Sequence, residues 1–251
     1  MSNERGETTP LLPSTAEPSP SRQPEDTPEQ AVGVDIVPTA MDKAALASVL
    51  IGAALVLGVS WFLVFSGDLK AMGWFAVHPP MQSLAITAFL LGITPLQPPA
   101  SNSNIKSTRF KSHQTIMLGI ALPVLAIGSA AMIYNKYLHG AKHFTSWHAK
   151  FGLVTVIWVL TQATIGAATV WYGGKAFGGP NNAKKVYKYH RLSGYLLVTL
   201  MLITIHLAGI HSDWANGRGH KNLRILAYYI GLPLIWIGIL LRSRPSKMKF
   251  L

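Results

Sequence analysis

Nine of the 251 residues are histidines, and four of them, His78, His113, His148 and His190, follow one another at intervals of 35, 35 and 42. Each falls close to the start of a long apolar stretch. A titratable side chain in such a place is costly unless it has a partner. A neutral imidazole carries one nitrogen with a free lone pair and is a common metal ligand. Cysteine is absent, which removes disulfides, thiolate metal sites and a cysteine nucleophile. The apolar stretches hold no Asp or Glu. A tetrahedral zinc site therefore lacks its remaining ligands, and a proton relay lacks the carboxylates it would normally use. The chemistry left to these four residues is that of imidazoles acting in pairs.

The apolar stretches set the geometry of those pairs. A helix needs about 20 mostly apolar residues to cross a bilayer core. Six segments qualify, at roughly 44–66, 74–96, 113–135, 146–172, 187–210 and 223–241. Glycine, proline and asparagine clusters such as Pro98-Pro99, Gly173-Gly174 and Gly178-Gly179-Pro180 separate them. The sequence thus predicts an all-α membrane protein with six transmembrane helices. Pro123 and Pro233 fall inside spans and predict kinks. Trp61, Trp74, Trp147, Trp171, Tyr172 and Tyr187 sit at span ends as interfacial anchors.

Because consecutive spans alternate in direction, spans two and four begin on one side and spans three and five on the other. His78 and His148 then share one level, and His113 and His190 share a second, roughly 20 Å away. Two imidazoles facing each other across a helix bundle make a bis-histidine haem site. Filling both axial positions of the iron leaves no place for O₂ and favours electron transfer. The other way to stack two haems, with both held by one pair of helices, needs two histidines on one face of each helix. His190 and His206 are about 160° apart around a helix, and span three has no second histidine, so that arrangement fails. His206 is read as a core hydrogen-bonding residue, and the remaining histidines as loop residues.

Charge fixes the orientation. The chain is 49% hydrophobic and 13% charged, with a formal charge of +12; soluble domains average roughly 25% charged. Eight of the ten acidic residues lie at or before Asp42, and from Lys43 on only Asp68 and Asp213 oppose the basic side chains. The hydrophobic spans explain this basic excess by membrane lipid rather than by nucleic acid. Lysines and arginines cluster in the 97–112 loop, the 173–186 loop and the C-terminal tail, so the positive-inside rule puts both termini in the cytosol. Residues 1–43, rich in Pro, Glu, Ser and Thr, read as a disordered cytosolic tail. They show neither a signal peptide nor a myristoylation glycine. Glu7–Leu12 (ETTPLL) has the form of an acidic dileucine sorting signal, which suggests a vacuolar or lysosomal endomembrane, with the endoplasmic reticulum also open. Residues 44–242 form the membrane domain, and 243–251 a short basic cytosolic tail.

The segments HPPMQSLA at His78, KSHQ at His113, HFTSWHAKFG around His148 and YHRLSGY at His190 resemble the four histidine motifs of the cytochrome b561 family. The form of HFTSWH is similar to that of the b561-domain-containing reductases. Lys150 stands where the chromaffin-granule type carries a tryptophan. The resemblance implies a four-helix core, helices two to five, with two haem b groups. It assigns His78 and His148 to the outer haem and His113 and His190 to the inner one. It also implies a transmembrane reductase that takes electrons from cytosolic ascorbate and passes them to monodehydroascorbate or ferric iron outside, with a homodimer admissible. The alternative of another class is a non-catalytic haem-binding sensor or scaffold with the same fold; a transporter is disfavoured by the missing intramembrane carboxylates.

Ascorbate is an anion and needs cations near the inner haem edge. Lys106, Arg109 and Lys111 before His113, and Lys184, Lys185, Lys188 and Arg191 around His190, are the candidates. Outside, His143 and Lys150, with His139 and Lys142 nearby, are candidates for contact with the acceptor.

Overall fold

The structure, a computed structural model, describes residues 38–248. The expectations for the tail and for the ETTPLL segment fall outside the described residues, as do positions 249–251. Among the described residues there is no strand. Six helices are long and apolar enough to cross a membrane: α1 (Ala40–Phe65), α2 (Leu69–Leu96), α3 (Ser103–Leu138), α4 (Trp147–Ala168), α5 (Pro180–His211) and α6 (Lys221–Arg242). The chain is therefore a multi-pass, all-helical membrane protein.

Local chemistry sets the helix starts. The Thr39 hydroxyl accepts from the Asp42 N–H at the head of α1. The Asn102 side chain accepts from Ile105 N at the head of α3, 2.8 Å, and Ser146 accepts from Ala149 N at the head of α4. Each satisfies a backbone donor that has no partner inside the helix. α2 begins irregularly and becomes a regular α-helix over His78–Ile93. Pro79 and Pro80 lie in its first turn, where a missing N–H costs nothing. The connection from α4 to α5 turns through left-handed residues, among them Gly174 with φ +70°. A Cβ on Gly174 would fall 2.6 Å from that of Ala183.

Three boundaries differ from the sequence expectation. α1 begins at Ala40, so Asp42 and Lys43 are already helical. α3 begins at Ser103 and α5 at Pro180. The 97–112 loop is therefore mostly helix, and His113 and His190 lie ten residues inside their helices. Hydropathy marks only the apolar part of a span. These two helices run on past it as polar, basic turns. The proline expectation took a particular form: a π-helical turn, Met117–Ala121, precedes Pro123, and another, Leu226–Gly231, precedes Pro233. Proline leaves a carbonyl one turn back without its donor, and a widened turn absorbs that defect.

Packing runs in the order α3–α2–α1–α6–α5–α4. α2 lies on α3, α4 lies on α5, and α1 with α6 joins the two pairs. Lipid is as apolar as leucine, so close helix approach in a membrane rests on small residues and good fit. The α1–α6 contact follows this rule: a Cβ on Gly238 would fall 2.6 Å from the Ala45 carbonyl oxygen. Val49, Val56, Leu63, Val64, Leu90 and Ile235 are the largest fully buried side chains, all on α1, α2 and α6.

Buried arginines lock both ends of α6. Arg224 donates to the Gly209 and Ile210 carbonyls and to Asn216. Arg242 donates to the carbonyls of Asp42 (2.6 Å) and Thr94 (3.1 Å) and to Gln97 Oε1 (3.2 Å). The Gln97 amide in turn donates to Ile239 O. Arg242 is only 4% exposed. It is a structural bolt between α1, α2 and α6.

Candidate functional site

The four candidate histidines come from four different helices, α2 to α5, and each is half-buried or less exposed. His78 and His148 face each other, with ring centres 6.0 Å apart and planes at 73°. An imidazole bound to a metal through a bond of about 2 Å places its ring centre roughly 3 Å from the ion, so two opposed rings stand about 6 Å apart. The observed separation fits that requirement.

The outer ring nitrogens settle the tautomer. His78 Nδ1 donates to the Gly128 carbonyl of α3 at 2.9 Å, and His148 Nδ1 donates to the Thr204 carbonyl of α5 at 2.9 Å. A carbonyl only accepts, so Nδ1 carries the proton in both and Nε2 keeps the lone pair. His113 does the same, donating from Nδ1 to the Gly92 carbonyl of α2 at 3.0 Å. Metal-ligating histidines characteristically give their second N–H to such an acceptor, which fixes the ring and raises its basicity.

These bonds also define two levels. On α2, His78 marks one and Gly92 the other; on α5, Thr204 and His190 do so. Positions 78 and 92 are fourteen residues apart, or about 21 Å along a helix, which matches the spacing expected from the sequence. The His190 ring lies against Gly166 of α4: a Cβ there would come within 2.8 Å of His190 Cε1. Its Nδ1 is buried and has no hydrogen-bond partner. The Gln162 amide of α4 holds its backbone carbonyl instead. The helices that carry each pair of histidines, α2 with α4 and α3 with α5, are not among the closely packed pairs. The rings are held by α2–α3 and α4–α5, and those of His78 and His148 face each other across the space between.

The cations sort by helix position. Lys106 and Arg109 lie seven and four residues before His113, on the same helix face, whereas Lys111 is about 200° away. Lys106 and Lys111 are exposed. Arg109 donates to the Pro98 and Pro99 carbonyls at 3.2 and 3.1 Å, fastening the loop that precedes α3. Lys184 is exposed, two turns before His190, and Arg191 is half-buried next to it. On the other side, Lys150 sits over the Trp147 ring, 4.7 Å from its centre, on the side of α4 turned away from His148. His143 lies in the loop before α4, its ring against Phe144. The structure does not bring Lys150 and His148 together.

His206 donates from Nδ1 to the Tyr228 carbonyl at 3.1 Å, so its hydrogen bond is of the kind the sequence suggested. Sequence reasoning missed the roles of Gly92, Gly128 and Thr204, which act through their carbonyls. Missed too was Gly166, which acts by having no side chain. The signal lies in their spacing: each stands at the height of a histidine on the neighbouring helix.

Six membrane-spanning helices, with the His78 and His148 rings facing each other between two of them, define a multi-pass helical membrane protein with a candidate bis-histidine site. A family model described as eukaryotic cytochrome b561 matches residues 97–216, which include His113, His148 and His190. His78 lies outside the match and is placed by its facing ring. The bovine (Bos taurus) protein named transmembrane reductase CYB561D2 is 28% identical over 125 residues, 48% of this chain. The aligned part spans only 56% of that relative's own length. Over just under half of its length the chain is thus similar to eukaryotic cytochrome b561 proteins.

Proposed function

We propose that the chain is a di-haem b-type transmembrane reductase that couples oxidation of cytosolic ascorbate to reduction of monodehydroascorbate or ferric iron on the opposite side. The observation that carries this reading is the His78–His148 pair, with ring centres 6.0 Å apart and both Nδ1 protons committed to carbonyls. In this reading His78 and His148 would hold the outer haem, and His113 and His190 would hold the inner one. Each haem, when bound, supplies a one-electron centre closed to O₂ by its two imidazoles. The chain's own part is to hold those imidazoles at two fixed depths, with His78, His113 and His148 each kept in one tautomer by a backbone carbonyl.

Lys106 supplies the positive charge that docks ascorbate, because it is exposed on the helix face that carries His113. Arg109 shapes this surface by holding the Pro98–Pro99 loop, and Lys184 and Arg191 add positive potential from α5. Lys111 points elsewhere and acts on lipid headgroups. On the outer side His143 remains a candidate contact for the acceptor, while Lys150 has its charge engaged by Trp147. Both termini are placed in the cytosol by the positive-inside rule.

The test uses the full chain in vesicles loaded with ascorbate, with a ferric chelate outside. Reduction of the chelate is expected to require internal ascorbate and to stop in His113→Ala. Equal rates without ascorbate, or in that variant, would overturn the proposal.

A further inference from the structure

A second pair of imidazoles lies outside the four used above. His206 and His211, both on α5, have ring centres 5.6 Å apart. We propose that they form an exchangeable binding site for a late first-row transition metal ion at the outer end of α5. The claim concerns binding alone and stands whether or not the chain is a reductase.

Three observations carry it. First, His206 is oriented as a ligand. Its Nδ1 gives its proton to the Tyr228 carbonyl, and the Tyr229 ring stands edge-on at 4.9 Å. The lone pair is thereby confined to Nε2 on a ring with a fixed pose, the preparation expected of a metal-ligating histidine. Second, the ring spacing suits two imidazoles on one ion. With each ring centre roughly 3 Å from a metal, a bent arrangement near the tetrahedral angle puts the centres about 5 to 5.5 Å apart, close to the value seen. Third, the pair is reached from its His211 side, while His206 is half-buried. His211 is exposed and is the last residue of α5.

The chemistry of the donor set names the ligand class. Among the described residues no group of three or more His, Cys, Asp or Glu converges on one point. The pair would fill two positions of an ion and leave the rest to water or to a small chelator. Structural sites are closed, whereas sites that exchange their cargo keep positions open. Imidazole nitrogen selects copper, zinc, nickel and iron over calcium or magnesium, and copper(II) binds most strongly of the divalent series. His206 lies two residues beyond Thr204, whose carbonyl holds His148. An ion bound here would therefore stand at the outer level of the protein.

Copper(II) is the probe, added at up to one equivalent to the full chain without a polyhistidine tag and read by electron paramagnetic resonance. One site with coupling to two imidazole nitrogens is expected. His211→Gln and His206→Gln should each weaken it by roughly tenfold or more. A triple variant, His139→Gln, His143→Gln and His220→Gln, should keep it. His211 is exposed at a helix end, so His211→Gln carries the test if His206→Gln fails to fold. An unchanged spectrum and affinity in His211→Gln, or loss of the site in the triple variant, would overturn the proposal.

Discussion

A histidine in lipid is held in one state by what its second nitrogen touches. Three of the four candidate ligands give Nδ1–H to a backbone carbonyl on the adjacent helix; His190 does not and is placed by contact with Gly166. A single methyl at position 166 therefore addresses one level only. Gly166→Ala should push the His190 ring aside and lower haem content from two toward one per chain, as measured by haem assay, with the helical content unchanged. Lys106→Gln should raise the KM for ascorbate about tenfold, the loss of one charge-assisted contact of about 1.4 kcal/mol, while the absorption spectrum stays the same. The four histidines were legible in the sequence because their type is rare in apolar surroundings. Gly92, Gly128 and Thr204 were not, because any residue has a carbonyl. The role of Arg242 was not legible for a related reason: charge near a span end marks topology, and nothing in composition tells that the guanidinium turns inward to three acceptors.

At the level of single helices, the caps and turns explain why the histidines stand at fixed heights. Ser146, the serine of HFTSWH, opens α4 by accepting from Ala149 N, so it sets where His148 enters the bundle. Ser146→Ala should cost about 1 kcal/mol, seen as a melting temperature a few degrees lower, and should loosen the outer level before the inner. Span existence was legible from hydropathy, and so was the alternation that brings the first histidine, His78, to face the third, His148. Span starts were not. The first turns of α3 and α5 are polar and basic, and such turns read as loops when apolar periodicity is the only guide. Asn102 before Ser103 and Pro180 after two glycines were the available signals.

Across the whole molecule, two helix pairs carry the histidines, and α1 with α6 ties the pairs together. The tie at the end near the C-terminus is the Arg242 cluster. Removing that guanidinium leaves the carbonyls of Asp42 and Thr94 and the Gln97 oxygen without a donor in a buried place. Arg242→Ala should cost roughly 3 kcal/mol. Arg244→Ala removes the ion pair of Arg244 with Asp42 at 2.7 Å, in which the arginine side chain is 33% exposed. It should cost at most about 1 kcal/mol. Thermal melts of the two variants in detergent check the contrast, and equal losses would contradict it.

The central claim is that four imidazoles, two at each depth, hold two haems. Haem stoichiometry together with the reduced-minus-oxidised absorption spectrum of the purified chain, alongside His78→Ala and His113→Ala, tests it most directly. The account predicts two b-type haems per chain with bis-histidine spectra, and one fewer in each variant. A chain that takes up no haem, or variants that both keep two, would contradict it.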